Sequence, residues 1–387
     1  MKGPVAVVLD GEVEIVPTGV LRRSMMSMAR HPDGSVWLNT QTGPLYRSAD
    51  QGRSWTPVPV EMPDLAHPQV LHGIGIGRDG RLWLSHSSDR EYPGGLYGQD
   101  LHVSHSADGG TTWQRSETDF STIPPGVPDF CFHEDGNRTF VELPDGTLMF
   151  TTTVVPAPAY AYRFPPASGE MYGGRPGDLF GDLVLRSSDG GRTWGDAARV
   201  DAFLNPHESN LAVDPGDGER ILLMTRCQRS SIPDEDPDEF MARTGNPGPA
   251  IKQGVLFEST DAGRTFRAAG WTNWYGHRGS VYFAPSRTVV VTHSGGYRDR
   301  RVVARVSLDG AATWQDGSAG GTADLLAAQK FVLLPDPPGH SFTTPTIEFE
   351  PRRFLTAYGW YPGGGNELAV NGVFWHLEPG GSGPCGR

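Results

Sequence analysis

The reading of the fold turns on Ser187-Ser188-Asp189-Gly190-Gly191-Arg192-Thr193-Trp194, because this octad recurs along the chain. Ser48-Ala49-Asp50-Gln51-Gly52-Arg53-Ser54-Trp55 and Ser106-Ala107-Asp108-Gly109-Gly110-Thr111-Thr112-Trp113 precede it. Ser259-Thr260-Asp261-Ala262-Gly263-Arg264-Thr265-Phe266 and Ser307-Leu308-Asp309-Gly310-Ala311-Ala312-Thr313-Trp314 follow it in looser form. In each copy an aspartate can accept backbone N–H groups, a glycine can take a positive φ, and the closing aromatic ring can pack back beneath the turn. That is a hairpin turn, and nothing in it is catalytic. The spacing between copies varies, so a constant unit sits on loops of variable length, as in a propeller.

Upstream of each octad lies a hairpin of alternating character, first residues 24 to 30, a turn at Pro32-Asp33-Gly34, then 35 to 39. The plan returns at 74 to 77 with 81 to 85, 139 to 143 with 147 to 151, 211 to 213 with 220 to 225, and 281 to 284 with 288 to 292. A sixth pair, 344 to 349 with 354 to 359, has no octad after it and ends in the strand-like 372 to 377. The sequence therefore predicts an all-β fold, a single six-bladed β-propeller over residues 1–387. Its ring is closed by an N-terminal strand, 5 to 8 and 12 to 16, on the last blade, 341 to 377, which leaves no exposed edge.

Composition agrees and sets limits. Gly 51 and Pro 33 in 387 residues suit many tight turns, while 10 Trp, 17 Phe and 11 Tyr supply a core. No apolar run approaches the roughly 20 residues of a membrane-spanning helix. A net charge of -12 argues against general binding to nucleic acid or an anionic membrane, although a local arginine pocket within an acidic shell is compatible with it. Three widely spaced cysteines, Cys131, Cys227 and Cys385, form neither a disulfide framework nor a metal-binding CxxC, so no cofactor or metal is expected. Asp10-Gly11-Glu12 interrupts the apolar run 5 to 9 before a secretion signal could complete, and the chain as given reads as cytoplasmic or as a mature exported form.

The octads are Asp-boxes, and their arrangement over essentially the whole chain resembles the sialidase (neuraminidase) superfamily of six-bladed propellers with BNR repeats. The resemblance implies an exo-acting glycosidase that releases a terminal acidic sugar, gripped by three arginines. Matching positions here are Arg22 or Arg23 before the first inner strand, Arg226 at the end of Ile221-Leu222-Leu223-Met224-Thr225-Arg226, and Arg298 in Gly296-Tyr297-Arg298. A guanidinium suits this task because its planar fork makes two parallel charge-assisted bonds to a carboxylate. Glu208, in Asn205-Pro206-His207-Glu208-Ser209-Asn210, falls where the superfamily places the glutamate that polarises its tyrosine nucleophile.

The chain departs from that pattern in two places. The nucleophile would lie at the start of the sixth inner strand, where the sequence reads His340-Ser341-Phe342-Thr343 without a tyrosine. The acid/base aspartate would follow the first blade's second strand, where Asn39-Thr40-Gln41-Thr42 carries no carboxylate. Tyr297, Tyr358 or Tyr361 could supply a phenol from another loop, and Asp89 or Asp135 a carboxyl group. Histidines His72, His207, His277 and His340 at strand starts, with His86 and His293 at strand ends, suggest a second chemistry. A His and Tyr pair beside an arginine that neutralises a uronate is what β-elimination of an acidic polysaccharide needs. The candidates are thus Glu208, Tyr297, His277 and Asp135 for catalysis and Arg23, Arg226, Arg298, His207 and Tyr358 for binding a carbohydrate. The alternatives are a polysaccharide lyase or hydrolase of uronate-containing glycans and a sugar-binding propeller without activity.

Overall fold

The computed structural model of the chain describes residues 3–21, 26–41, 43–62, 70–92, 96–118, 130–132, 139–156, 181–200, 206–230, 250–274, 279–294, 301–335, 343–361 and 368–380. Every regular element among them is a β-strand. After a long first strand β1 (Val5–Leu21), the strands run as antiparallel meanders. The first is β2 (Ser27–Arg30), β3 (Val36–Asn39), β4 (Leu45–Ser48) and β5 (Thr56–Val58). The second is β6 (Val70–Ile76), β7 (Leu82–Tyr92), β8 (Leu96–Ser106) and β9 (Gln114–Thr118). A short β10 (Phe130–Phe132) then adds to the third, which is β11 (Phe140–Glu142), β12 (Leu148–Pro156), β13 (Gly181–Ser187) and β14 (Thr193–Arg199). The fourth is β15 (Pro206–Asp214), β16 (Asp217–Ser230), β17 (Ala250–Ser259) and β18 (Arg267–Trp274). The fifth is β19 (Ser280–Phe283), β20 (Val289–Ser294), β21 (Val302–Ser307) and β22 (Phe331–Leu334). The last is β23 (Thr346–Glu350), β24 (Arg353–Trp360) and β25 (Leu368–Pro379), completed by β1.

The first strand of each meander touches that of the next, and β23 returns to β2, so the arrangement is propeller-like. The core lies in the joints between meanders. In β16, Ile221 and Leu223 pack with Met149 and Val184 of the third meander, while Leu222 and Met224 pack with Val281, Phe283 and Val291 of the fifth. A strand whose side chains alternate between two faces, both covered, must be apolar at every position, which is why 221 to 224 reads as an unbroken run.

Two features add to the sequence expectation. The N-terminal strand runs on through Asp10-Gly11, which forms a bulge against β25; Gly11 sits at φ 124° where the register slips between Leu9 and Gly11. The second and third meanders are also fused at their outer edges. β9 and β14 pair in parallel, Thr193 opposite Glu117 and Trp194 opposite Thr118, and the Ser116 hydroxyl donates to the Gly191 carbonyl.

Charge clasps the closing strand. His376 on β25 offers Nδ1 to Asp10 of β1 at 2.8 Å and Nε2 to Glu378 at 3.1 Å, and both bonds require a donor, so the imidazolium is favoured. The bond to Glu378 and then that to Asp10 raise its pKa above the ordinary value. A raised folded pKa contributes stability in full below about pH 6.5 and loses it as pH rises through the folded value. Melting temperature should therefore fall between about pH 6 and pH 8, and His376→Gln should flatten that slope. The effect is that of a surface pair, about 1 kcal/mol or less; equal pH slopes in both proteins would refute the clasp.

All five octads share one geometry. In the third, Asp189 accepts the Ser187 hydroxyl at 2.7 Å, the Thr193 N–H at 3.0 Å and the Thr193 hydroxyl at 2.7 Å, and Ser187 Oγ accepts the Gly191 N–H at 2.8 Å. What burial would add to the Asp189 pKa is more than offset by the Thr193 and Ser187 bonds, which hold it at about 2. Glycine is required at Gly191 for two reasons: φ is 81°, and a Cβ there would lie 1.7 Å from the Trp83 ring of the second meander. The octads also sit beside the turns between first and second strands, as Arg81 Nη1 donating to Gly190 O at 3.3 Å shows. They therefore lie at the opposite end of the strands from the start of β15 and the far end of β16. Asp189→Ala should lower the melting temperature, since the deserted donors cost about 1–2 kcal/mol. Turnover per folded molecule should stay unchanged; a loss of turnover without a loss of stability would contradict this structural role.

Candidate active site

Where β15 begins and β16 nears its end, the ladder carries a bulge. His207 pairs with Arg226 and Asn210 with Met224, so Glu208 and Ser209 form an irregular step between them. Glu208 takes φ 63°, a left-handed conformation that costs a non-glycine residue on the order of 1 kcal/mol or more and that concentrates at functional positions. Its carboxylate faces the strand's partner: Glu208 Oε1 lies 3.0 Å from Arg226 Nη2, and both side chains are buried.

A second carboxylate meets the same hairpin through Thr225 of β16. Asp182 is the second residue of β13 and is completely buried. Its Oδ1 accepts the Thr153 hydroxyl of β12 at 2.7 Å and its Oδ2 the Thr225 hydroxyl of β16 at 2.8 Å. Thr153 Oγ1 in turn accepts the Glu208 N–H at 3.1 Å. Burial pushes the Asp182 pKa up; the hydroxyl bonds oppose that, the nearby Glu208 charge adds to it, and the balance is about 6. A cation beside one carboxylate, with a second carboxylate close by and water largely excluded, can hold the first charged for proton abstraction or nucleophilic attack while the second stays near its titration point.

A hairpin returns its second strand to the end where its first began, and the β15–β16 hairpin thus brings Glu208 and Arg226 together. His207 lies in the same ladder, but its side chain falls outside the described residues, as do Arg23, Asp135, His277, Tyr297 and Arg298 entirely. Tyr358 is placed differently from the expectation of a sugar contact. It is 3% exposed, its ring packs in the joint between the last two meanders, and its hydroxyl donates to Glu12 Oε2 at 2.7 Å. Burial and then Glu12 raise its phenol further above the ordinary range. It ties β24 to the closing strand. The described histidines at strand ends are likewise buried in hydrogen bonds: His86 Nε2 meets Ser104 Oγ at 2.9 Å, and His293 Nε2 accepts from Arg305 at 3.2 Å. Burial, then His102 and Arg115, lower the His86 pKa to about 3, so it is neutral near pH 7.

Asp182 and Thr225 were not singled out by the sequence reasoning. The available signal is positional: third strands start at the same end as second strands finish, and Asp182 is the one charge leading the apolar run Leu183-Val184-Leu185. A separate cleft of about 720 Å³, lined by Pro144, Arg186, Asp196, Glu219 and Arg264, opens among the octads at the other end of the strands. Its Arg186 donates to the Asp196 and Ala262 carbonyls and lies 3.8 Å from the exposed Asp196 carboxylate, so its charge pair is not a buried one like that at Glu208.

Neither family models nor curated proteins match the chain by sequence. Solved structures match it in fold, and that fold is the sialidase-like propeller. A Dyadobacter fermentans protein of unknown function matches at 17% identity and a TM-score of 0.63, over 96% of this chain and 99% of that one. A Hadza microbial sialidase matches at 14% identity and a TM-score of 0.59, over 91% of this chain and 65% of that one. A GH93 α-L-arabinofuranosidase of Fusarium graminearum, solved with arabinobiose, matches at 13% identity and a TM-score of 0.60, over 95% and 97%.

Proposed function

We propose that the protein is a glycoside hydrolase that releases a terminal sugar from a glycan and that its reaction runs through the Glu208 carboxylate. One observation carries this reading: a buried Glu208–Arg226 pair on strained backbone at the converging strand ends, in a fold whose neighbours include sialidases and arabinofuranosidases. Glu208 takes a proton from a phenol, for which Tyr297 is the candidate, or from water, or attacks the anomeric carbon directly, while a separate acid, for which Asp135 is the candidate, protonates the leaving oxygen. In the acidic-sugar form of the reading, Arg226 joins Arg23 and Arg298 in holding the substrate carboxylate, and His207, His277 and Asp135 are the remaining polar groups of the mouth. The octad turns fit the Asp-box reading and serve stability.

A second reading, release of a neutral pentose, is favoured by a specific observation. Arg226 is already neutralised by Glu208 at 3.0 Å, which weakens its pull on a second carboxylate, and the arabinofuranosidase matches over nearly its full length. The test is a panel of an aryl α-sialoside, an aryl α-L-arabinofuranoside and a uronate polymer followed by ultraviolet absorbance. Aryl alcohol from the first supports the acidic sugar, and from the second the pentose. New absorbance from the polymer would replace hydrolysis with elimination, and sugar binding without any turnover would sink the enzyme reading.

A further inference from the structure

Four groups from four strands form one continuous chain of hydrogen bonds: Glu208 N–H to Thr153 Oγ1, Thr153 hydroxyl to Asp182 Oδ1, and Thr225 hydroxyl to Asp182 Oδ2. Its direction is set at one end. A backbone N–H can only donate, so Thr153 must accept from Glu208 and hand its own proton onward, which it does only if Asp182 accepts. Asp182 is wholly buried and is named by no expectation drawn from the sequence. We propose that Asp182 is a positioning residue for the reaction at Glu208: through the Thr153 hydroxyl it fixes the left-handed backbone that turns the Glu208 carboxylate to Arg226, and it sets a second negative charge near that carboxylate. The inference rests on the reading of Glu208 as the reacting carboxylate.

Among the described residues the charges around Asp182 are few: β12 presents threonines, β14 carries Arg199 opposite Leu183, β15 brings Glu208, and on β16 Thr225 faces Asp182 while Arg226 and Cys227 follow it in the strand. When Asp182 takes a proton, near pH 6, one of its oxygens becomes a donor, and one of its two threonine bonds must reverse or break. The acid limb of the activity profile should therefore follow Asp182 as well as Glu208. Asp182→Asn keeps the shape and removes the charge, so the acid limb should move to lower pH while kcat falls about tenfold or more and KM changes little, the signature of a misaligned group rather than a lost contact.

The experiment compares wild type, Asp182→Asn, Thr153→Val and Thr153→Ser in kcat, KM and pH profile on whichever aryl glycoside is cleaved. In parallel, the Glu208 carboxyl carbon is titrated by 13C NMR, assigned with Glu208→Gln. The expected result is a lower Glu208 titration point in Asp182→Asn, a loss of kcat in Thr153→Val and its recovery in Thr153→Ser. A folded Asp182→Asn with wild-type kcat and an unmoved acid limb overturns the proposal. Should no glycoside be cleaved, the hydrolase reading fails while the titration still decides the strut, an unchanged Glu208 curve refuting it. Should Asp182→Asn not fold, the Thr153 pair decides: faster exchange of the Glu208 amide in Thr153→Val, reversed in Thr153→Ser, supports the strut, and equal exchange rates refute it.

Discussion

Glu208→Gln should fold, retain sugar binding within a few fold, and turn over at least about a hundredfold more slowly than the wild type. Glutamine matches glutamate in volume, so the bulge between His207 and Asn210 and the φ of 63° are kept, and its carbonyl oxygen can still accept a bond from Arg226. What disappears is the negative charge. An amide can neither take the proton of a phenol or water nor attack an anomeric carbon, and no described side chain in the same cluster substitutes for it, because Asp182 is enclosed by its threonine bonds. The measurement is kcat on the cleaved aryl glycoside, with binding followed by calorimetry. A Gln variant within about threefold of the wild type would remove Glu208 from the reaction and with it the proposed function.

The second large effect is on stability. Arg226→Met leaves the Glu208 carboxylate buried without its cation, and breaking one side of a buried ion pair costs about 3–5 kcal/mol. The double variant Glu208→Leu with Arg226→Met should recover most of that loss, since an apolar pair of similar volume avoids the desolvation of both charges. Denaturant unfolding of the three proteins gives the answer. If Arg226→Met unfolds at the wild-type midpoint, the pair is not the buried charge contact described. Recovery of stability without recovery of activity in the double variant would separate the two roles: the pair is kept for chemistry at a cost to the fold.

Legibility followed range. The octads could be read because Ser187, Asp189, Gly191 and Thr193 satisfy one another within seven residues, and local hydrogen bonding repeats as local sequence. The meeting of Glu208 with Arg226 was also legible, because a hairpin must return its second strand to the end where its first began. Tyr358 was misread because its partner, Glu12, stands 346 residues away on a strand whose register no short pattern announces. The parallel join of β9 to β14 rests on two opposed residue pairs and has no periodicity of its own. Asp182 was missed because a census of first-strand starts and second-strand ends passes over the third strand, which begins beside them.

The pairing of β1 with β25 also bears on how the chain is made. Val5 is opposite Pro379 and Leu21 opposite Leu368, so β1 can find its partner only after all the intervening meanders have been made. Until then a 17-residue strand with an apolar run at 5 to 9 waits as an open edge, the kind of surface that pairs with neighbouring copies. Its own sequence guards the interval: Asp10, Glu12 and Glu14 place three negative charges along it, and like charges on nascent chains repel. In the finished molecule Asp10 meets His376 and Glu12 meets Tyr358, so the residues that keep the waiting strand soluble become the ones that lock it in place.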